Sequence, residues 1–220
     1  MSMICWVLKL SPAQIDTLRA TPSLVGDLAL MTQENQIRAQ LDKSIRRMPL
    51  GEQKGFEARH RASIEAMPGA KEAQAQIAEA YARLAVLGSI EQALDLEKSW
   101  HILHYLFTGN IDDSSVPGST LLTGEPLGED LGYGPARLHG VRETRDFGHF
   151  LENLDLARLQ ARMNVREMTR LGVYSMPMGL NSDTEHESAL HAEVAFYFPT
   201  LRDYVAKASE SGDGLLIWLS

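Results

Sequence analysis

The residue types that could do chemistry concentrate in two stretches of the sequence. The first is Lys98-Ser99-Trp100-His101 with His104, where two imidazoles stand three residues apart on a predicted helix. At that spacing both rings can reach one ligand, which is half of a metal site. No HExxH motif and no third ligand at a known spacing accompany them. A purely structural interpretation is also open, in which His104 packs with Trp100 and Phe107 and His101 bonds a nearby loop.

The second stretch is the glycine- and proline-rich segment Gly124–Arg137, predicted to be a loop. Its glycines allow tight turns and a close approach of the backbone to a ligand. Its polar side chains are three carboxylates, a phenol and a guanidinium, at Glu125, Glu129, Asp130, Tyr133 and Arg137. Adjacent carboxylates can raise one another's pKa, which suits acid–base chemistry. The same carboxylates could instead cap backbone N–H groups and pair with Arg137 or Lys98.

Together the two stretches predict one polar pocket, formed by helix 96–107 and loop 124–137. Its predicted ligand-binding residues are Lys98, Trp100, His101, Glu125, Glu129, Asp130, Tyr133 and Arg137. The prediction requires Trp100 and Tyr133 to lie close together in the fold. The segment contains neither of the common glycine-rich phosphate motifs, and its two internal acids would repel phosphate. No catalytic residue, metal or cofactor is assigned.

The elements that must position these residues begin and end with apolar strands. Ile4–Leu10 and Leu215–Leu219 are each rich in strand formers and bounded by turn residues. Short amphipathic helices fill much of the sequence between them. The pattern predicts an α+β fold, with a mixed or antiparallel sheet that contains both terminal strands as neighbours and with helices packed on it.

Helix boundaries follow from capping residues. Asp95 is the predicted N-cap of helix 96–107, and Gly109 its end. Further predictions are a helix over 71–87, N-caps at Asp155 and Asn164, a stop at Gly172, short strands at Leu121–Thr123 and Arg137–Val141, and two helices, or a helix and a strand, separated by Pro199.

The segment 31–70 differs from the rest of the sequence. It is polar and weakly helical, and Pro49 and Gly51 interrupt it. These features are typical of a variable helical insertion. Such a segment could serve as an oligomer contact, as a partner-binding arm or as a neutral insertion.

Composition excludes several partners. The chain has 21 Lys and Arg against 29 Asp and Glu, a net charge of −8. A protein this acidic is not expected to bind nucleic acid or an anionic membrane surface. Cys5 is the single cysteine, so disulfides within the chain and cysteine-based zinc sites are excluded, which favours a reducing, cytoplasmic location. No apolar run approaches the roughly 20 residues that span a bilayer.

Three segments carry a resemblance to a known family. They are LDLEKSWH at 94–101, GEPLGEDLGYGPAR at 124–137 and GDGLLIWLS at 212–220, with the start Met1-Ser2-Met3-Ile4. Together they resemble the bacterial YfbM-like family, a domain of unknown function with an α+β fold. The resemblance implies one domain over 1–220 with the insertion at 31–70, and it supplies no catalytic residues. The chain departs from the family pattern at Ser2 and Cys5, where glycines are usual, and after Tyr174, where Ser175 follows in place of proline.

Two classes of function fit these observations. The first is a non-catalytic binding module with a protein partner, for which the motivation is the acidic charge and the absence of any known catalytic signature in the sequence. One form of it, by analogy, is an immunity-like protein that blocks a basic toxin through complementary charge. The alternative is an enzyme or small-ligand binder that uses the pocket between helix 96–107 and loop 124–137. Oligomeric state is left open.

Overall fold

The computed structural model describes residues 3–112, 114–174 and 183–220, with the side chains of residues 183, 184 and 186 left out. The chain divides into two compact units, which are described separately. Met1–Ala20 and Glu91–Ser220 form the sheet unit, and Thr21–Ile90 forms the three-helix unit. Across the described residues, no helix combines the length and the apolar character that crossing a bilayer requires.

The sheet unit is built on five antiparallel strands in the order β2-β1-β5-β4-β3. The strands are β1 (Cys5–Leu10), β2 (Leu94–Asp95), β3 (Glu125–Asp130), β4 (Pro135–His139) and β5 (Gly214–Leu219). Its helices are α1 (Pro12–Ala20), α5 (Trp100–Thr108), α6 (Val141–Glu152), α7 (Leu156–Ala161), α8 (Val165–Leu171) and α9 (Asp183–Ser211). The predicted α+β fold is confirmed.

The two terminal strands pair along their full length, as the sequence predicts. All six residues of β1 are matched with β5, from Cys5 opposite Leu219 to Leu10 opposite Gly214. Both strands are almost entirely buried, which explains why they read as continuous apolar runs rather than as alternating ones. Trp6 and Trp218 stack across the pair, with ring centroids 6.3 Å apart.

The register assigns side chains to two faces of the sheet, because directly opposed residues share a face. Val7 and Ile217 belong to the face that joins one apolar core with α5, α6 and α9; we call this the helix-covered face. Leu10 and Gly214 point to the other face, where Ile15 of α1 approaches Gly214.

Two local predictions in the sheet unit are wrong. Leu121–Thr123 is a turn rather than a strand. Pro199 lies inside one continuous helix, α9, and does not separate two elements. Proline in a helix interior costs roughly 3 kcal/mol, but Phe198 and Leu201 beside it are completely buried, so packing outweighs the local penalty. The sequence also predicts a loop over 176–187; residues 176–182 lie outside the described residues, and the backbone of 183–187 belongs to α9.

The three-helix unit contains α2 (Leu24–Arg46), α3 (Leu50–Glu65) and α4 (Ala70–Leu84), followed by a short 3₁₀ turn at Ala85–Leu87. Polar pairs join α4 to α2: Arg83 donates two hydrogen bonds of 2.7 and 2.8 Å to the Asp27 carboxylate, and the Tyr81 hydroxyl donates to Asn35 at 2.9 Å. The unit extends beyond the predicted insertion at 31–70 on both sides.

Gly214 leads to a stability prediction. A Cβ atom added at Gly214 would lie closer than van der Waals contact to the carbonyl oxygen of His139 and to the Cδ1 atom of Ile15. Because the carbonyl belongs to the backbone, it cannot move aside as a flexible side chain would. We expect Gly214→Ala to lower the free energy of unfolding by roughly 2 kcal/mol or more, measured by chemical denaturation.

Gly148→Ala is the control for this substitution. Gly148 is buried in α6, but its added Cβ would lie 3.5 Å from Ser209, an ordinary contact. This substitution should be neutral or stabilising, because alanine favours the helix by about 1 kcal/mol. Equal stability of the Gly214→Ala protein and the wild type would show that the sheet and α1 do not meet as closely as described.

Candidate functional site

The helix that carries the two histidines begins later than the sequence predicts. The predicted N-cap, Asp95, instead lies in β2, where its carboxylate accepts a hydrogen bond from the Glu97 backbone. Leu96 donates to the Cys5 carbonyl and Glu97 accepts from the Cys5 N–H, so both residues extend the sheet edge. Helix α5 can therefore start only at Trp100. Its end at Gly109, with a φ of 78°, is as predicted.

An aromatic cluster forms at the start of α5. The rings of Trp100 and His101 stack at 4.7 Å, and Tyr174 stacks on Trp100 at 6.1 Å. The Trp100 indole N–H donates to the Met3 carbonyl at 3.3 Å, and the Met3 N–H donates to the Tyr174 hydroxyl at 2.8 Å. The cluster thus joins α5 both to the residue that precedes β1 and to the segment that follows α8.

His101 is held as a neutral imidazole. Its Nδ1 accepts a hydrogen bond from the backbone N–H of Tyr174 at 2.8 Å, which requires an unprotonated nitrogen. Burial, together with the neighbouring His104, lowers the pKa of His101 to about 4. His104 lies fully buried beside it, with the ring centroids 6.2 Å apart. Within the part of the chain that the structure describes, no three His, Cys, Asp or Glu side chains converge as a metal site requires.

Ser99 and Glu193 are neighbours of this cluster that the sequence reasoning missed. The buried Ser99 hydroxyl donates to a Glu193 carboxylate oxygen at 2.5 Å and so ties α5 to α9. The two residues are 94 positions apart, and no local pattern indicates the pair. Lys98, the residue before Ser99, is exposed in the turn that leads into α5.

The predicted loop 124–137 is largely a β-hairpin, formed by β3 and β4 with a bulge between Leu127 and Asp130. The Asp130 carboxylate accepts hydrogen bonds from the backbone N–H groups of Gly132 and Gly134, at 2.7 and 2.9 Å, and these bonds lower its pKa. Asp130 therefore organises the turn. Tyr133 stands at its tip with 39% of its surface exposed.

Glu125 and Arg137, two of the predicted site residues, point to opposite faces of the sheet. Arg137 is opposed to Ile217 and so belongs to the helix-covered face, whereas Glu125 is opposed to Leu138 on the other face. There Glu125 forms an ion pair with Arg19 of α1 at 2.5 Å, rather than with Arg137 or Lys98. Glu125 therefore does not converge with the α5 residues.

The strand register places the two halves of the predicted pocket at the same end of the sheet. Because neighbouring strands are antiparallel, the hairpin turn, the end of β5 and the start of β1 all lie at that end. The start of α5 lies there too, through Trp100 and Met3. Among the described residues, no hydrogen bond, ion pair or ring contact joins Lys98, Trp100 or His101 to the hairpin.

A second candidate site lies within the three-helix unit, where a groove of about 880 Å³ opens between its helices. Several apolar side chains that line it are exposed: Ile37 (52%), Ile64 (38%), Met67 (57%) and Tyr81 (38%). Helix α3 forms one wall; none of its sixteen residues is fully buried, and Gln53, Phe56 and His60 are half-buried. The sequence predicts a variable insertion at 31–70 but not the groove, because that segment is polar and only weakly helical in its pattern.

The state of His101 leads to a pH prediction. Its folded pKa of about 4 lies below the ordinary value of 6.5, so between these values the unfolded chain binds the proton that the folded chain excludes. The free energy of unfolding should therefore fall as pH decreases from about 6.5 toward 4, by at most about 1.4 kcal/mol per unit from this residue. Denaturant titrations at several pH values measure it.

His101→Asn is the matched variant, because its amide oxygen can still accept the Tyr174 N–H but does not titrate. We expect a shallower loss of stability over the same pH range. His139, whose pKa burial also lowers, remains in both proteins. Parallel pH profiles for the variant and the wild type would contradict a neutral, buried His101.

Comparisons with known proteins agree with this fold. Among solved structures, the chain is similar to YfbM from Escherichia coli, a protein of unknown function, with a TM-score of 0.56 and 17% sequence identity. The similarity covers 99% of this chain and all of YfbM. At this identity, it establishes the fold alone.

A search of curated proteins found no match to the chain. The family model described as a domain of unknown function, DUF1877, matches residues 1–218. The motifs at 94–101 and 124–137, and the third motif as far as residue 218, lie within this match over nearly the whole sequence, and the chain belongs to the DUF1877 family.

Proposed function

We propose that the protein is a non-catalytic interaction module that binds a protein partner through the groove of its three-helix unit. The observation that carries the proposal is helix α3, in which none of the sixteen residues is fully buried and only Gln53, Phe56 and His60 are half-buried. Most helical stability in proteins comes from packing, and Gly51 and Gly55 weaken the intrinsic stability of this helix. A partner that fills the groove would supply that packing.

The exposed apolar surface of the groove supports the same function. One concavity is lined by Ile37 of α2, by Met67 in the turn that follows α3, and by Tyr81 of α4. Apolar side chains exposed singly are normal on protein surfaces, whereas a concave group of them is typical of a binding site. Charged residues around them, including Arg38 and Glu57, would form a polar rim.

The distribution of charge suggests the kind of partner. The three-helix unit has nine Lys and Arg and eight Asp and Glu, a net charge of +1, so the sheet unit has a net charge of −9. A field of that sign speeds the encounter with a basic protein. The proposed role is therefore immunity-like, in the sense that an acidic chain binds and blocks a basic partner. A cytoplasmic location is part of the proposal, since the single cysteine suits a reducing compartment.

Substitutions in the groove test the proposal. We expect the double variant Ile37→Glu and Met67→Glu to fold normally, because both side chains are more than half exposed, and to lose partner binding at least tenfold, because charges replace apolar contacts. The measurement is affinity capture from the native host at matched bait concentration, with mass spectrometry, followed by titration of the purified partner.

Leu50→Glu is the control, since Leu50 is 86% exposed on α3 and does not line the groove. It should retain the partner. A stoichiometric partner that binds the groove variant and the wild type equally would remove the groove from the proposal. Recovery of no stoichiometric partner by any of the proteins would contradict an interaction module altogether.

A small-ligand site near the start of α5 is the alternative function. It is favoured by one observation, that Arg137 shares the helix-covered face and the hairpin turn shares the end of the sheet with Trp100. If it is correct, a thermal-shift screen of metabolites, nucleotides and divalent metals should find a compound that raises the Tm of the wild type by several degrees. The double variant Glu129→Ala and Arg137→Ala should lose that shift. Equal shifts in both proteins would exclude this site.

A further inference from the structure

We infer that the groove of the three-helix unit binds an amphipathic α-helix of about three turns that has Lys or Arg beside its apolar stripe. The inference rests on the proposed function and adds the class of ligand. Three features support it: the length of the groove along α2, the wall helices whose backbone groups are already hydrogen-bonded, and the charged residues that line the groove.

The groove has the dimensions of a short helix. Helix α2 lines it from Glu34 to Ile45, a rise of about 17 Å at 1.5 Å per residue. The contributing positions on α2 recur at three- and four-residue intervals: 34, 37, 38, 41, 42 and 45. Those on α4 recur likewise, at 70, 73, 74, 77, 78 and 81. A helix of eleven or twelve residues lying along these walls could insert apolar side chains at the same intervals.

An extended peptide fits this groove less well. A bound β-strand gains its affinity from main-chain hydrogen bonds at a sheet edge. The groove walls are helices α2, α3 and α4, whose backbone groups are already bonded within each helix except at the ends. A ligand can therefore contact the walls only through side chains. A bound helix suits such walls, because its backbone N–H and C=O groups hydrogen-bond within the helix itself.

The rim favours a basic helix. Four carboxylates and two guanidinium groups line the groove, and Glu34 pairs with Arg38 at 2.6 Å. The other three carboxylates, at Asp42, Glu57 and Glu65, share the lining with one further cation, Arg61, and with the His60 imidazole. Outside the groove, Asp42 also lines a second concavity with Lys43, Arg46 and Arg47. The groove therefore has a net charge of −2, whereas the unit as a whole has +1. Lysine or arginine on the partner would complement this local excess.

The same carboxylates disfavour a second copy of this chain as the occupant. Most homodimers are two-fold symmetric, and a dimer with the groove on its symmetry axis would set each groove against the identical groove of the other copy. Such a contact would place Asp42, Glu57 and Glu65 against their own counterparts. Like charges opposed across an interface repel one another and weaken the contact.

A displayed peptide library tests the inference on the full-length protein. The probes are 14-residue helices with Leu, Ile, Phe or Met at positions 1, 4, 5, 8 and 11, and with flanking positions that are all Lys, all Glu or all Gln. Selected peptides are synthesised and titrated by fluorescence anisotropy at 50 and 500 mM salt. We expect Lys peptides to be enriched, and Asp42→Asn/Glu57→Gln/Glu65→Gln to bind them about tenfold more weakly at 50 mM salt and less than threefold more weakly at 500 mM.

The controls separate the inference from the proposed function. A helix-breaking proline at position 7, which carries no apolar anchor, should abolish binding of a selected peptide, and Leu50→Glu should leave binding of the unmodified peptide unchanged. Enrichment of Glu or Gln peptides in the groove, or binding that survives the proline, would overturn the basic helix but leave a partner-binding groove intact. Concentration-dependent dimerisation lost in Ile37→Glu/Met67→Glu would assign the groove to a second copy and overturn the inference. Absence of any groove-dependent peptide, together with capture of a partner at another surface, would overturn both.

Discussion

The pairing of β1 with β5 is the constraint on which the sheet unit depends. These strands come from opposite ends of the chain, and each is buried along nearly its whole length. Bringing together residues some 210 positions apart costs loop-closure entropy, although that cost grows only slowly with length. Six matched residue pairs and the stacked rings of Trp6 and Trp218 offset it. Every other strand, and the start of α5, takes its position from this central pair.

The three-helix unit is stabilised differently. Helices α2 and α4 are joined by the Arg83–Asp27 pair and by the Tyr81–Asn35 hydrogen bond. The Tyr81–Asn35 bond joins two exposed side chains and so adds little stability on its own. In the ion pair Arg83 is half exposed, whereas the Asp27 side chain is only 12% exposed. Helix α3 has no fully buried residue, and only Gln53, Phe56 and His60 are half-buried, so it packs loosely on the other two helices. The unit therefore has an open groove lined by acidic residues. We propose a binding site there rather than at the aromatic cluster, because the polar groups of Trp100, His101 and Tyr174 already form hydrogen bonds within the protein.

Features set by local interactions were predictable from the sequence. The terminal strands, the N-caps at Asp155 and Asn164 and the helix ends at Gly109 and Gly172 all lie where predicted. Features set by contacts distant in sequence were not. Helix α5 begins late because Leu96 and Glu97 bond to Cys5, and α9 continues through Pro199 because buried residues flank it.

The predicted pocket shows the same division. Asp130 proved to bond backbone N–H groups within its own turn, an alternative that the local sequence already contained. The pairing of Glu125 with Arg19 could not be foreseen, because it depends on which face of the sheet each residue occupies. Placement of Arg137 and Trp100 toward one face and one end of the sheet likewise follows from strand register, which the sequence alone leaves open.

Amide hydrogen exchange most directly tests the central claim, that α3 is loosely packed in the free protein and is stabilised when a partner binds the groove. In the free protein, amides of 50–65 should exchange orders of magnitude faster than those of β1 and β5, since local opening of a loosely packed helix costs little. Saturation with a selected basic helical peptide should slow exchange in α3 and along the groove walls of α2 and α4. Strong protection of α3 in the free protein, or slowing confined to the sheet unit, would contradict the account.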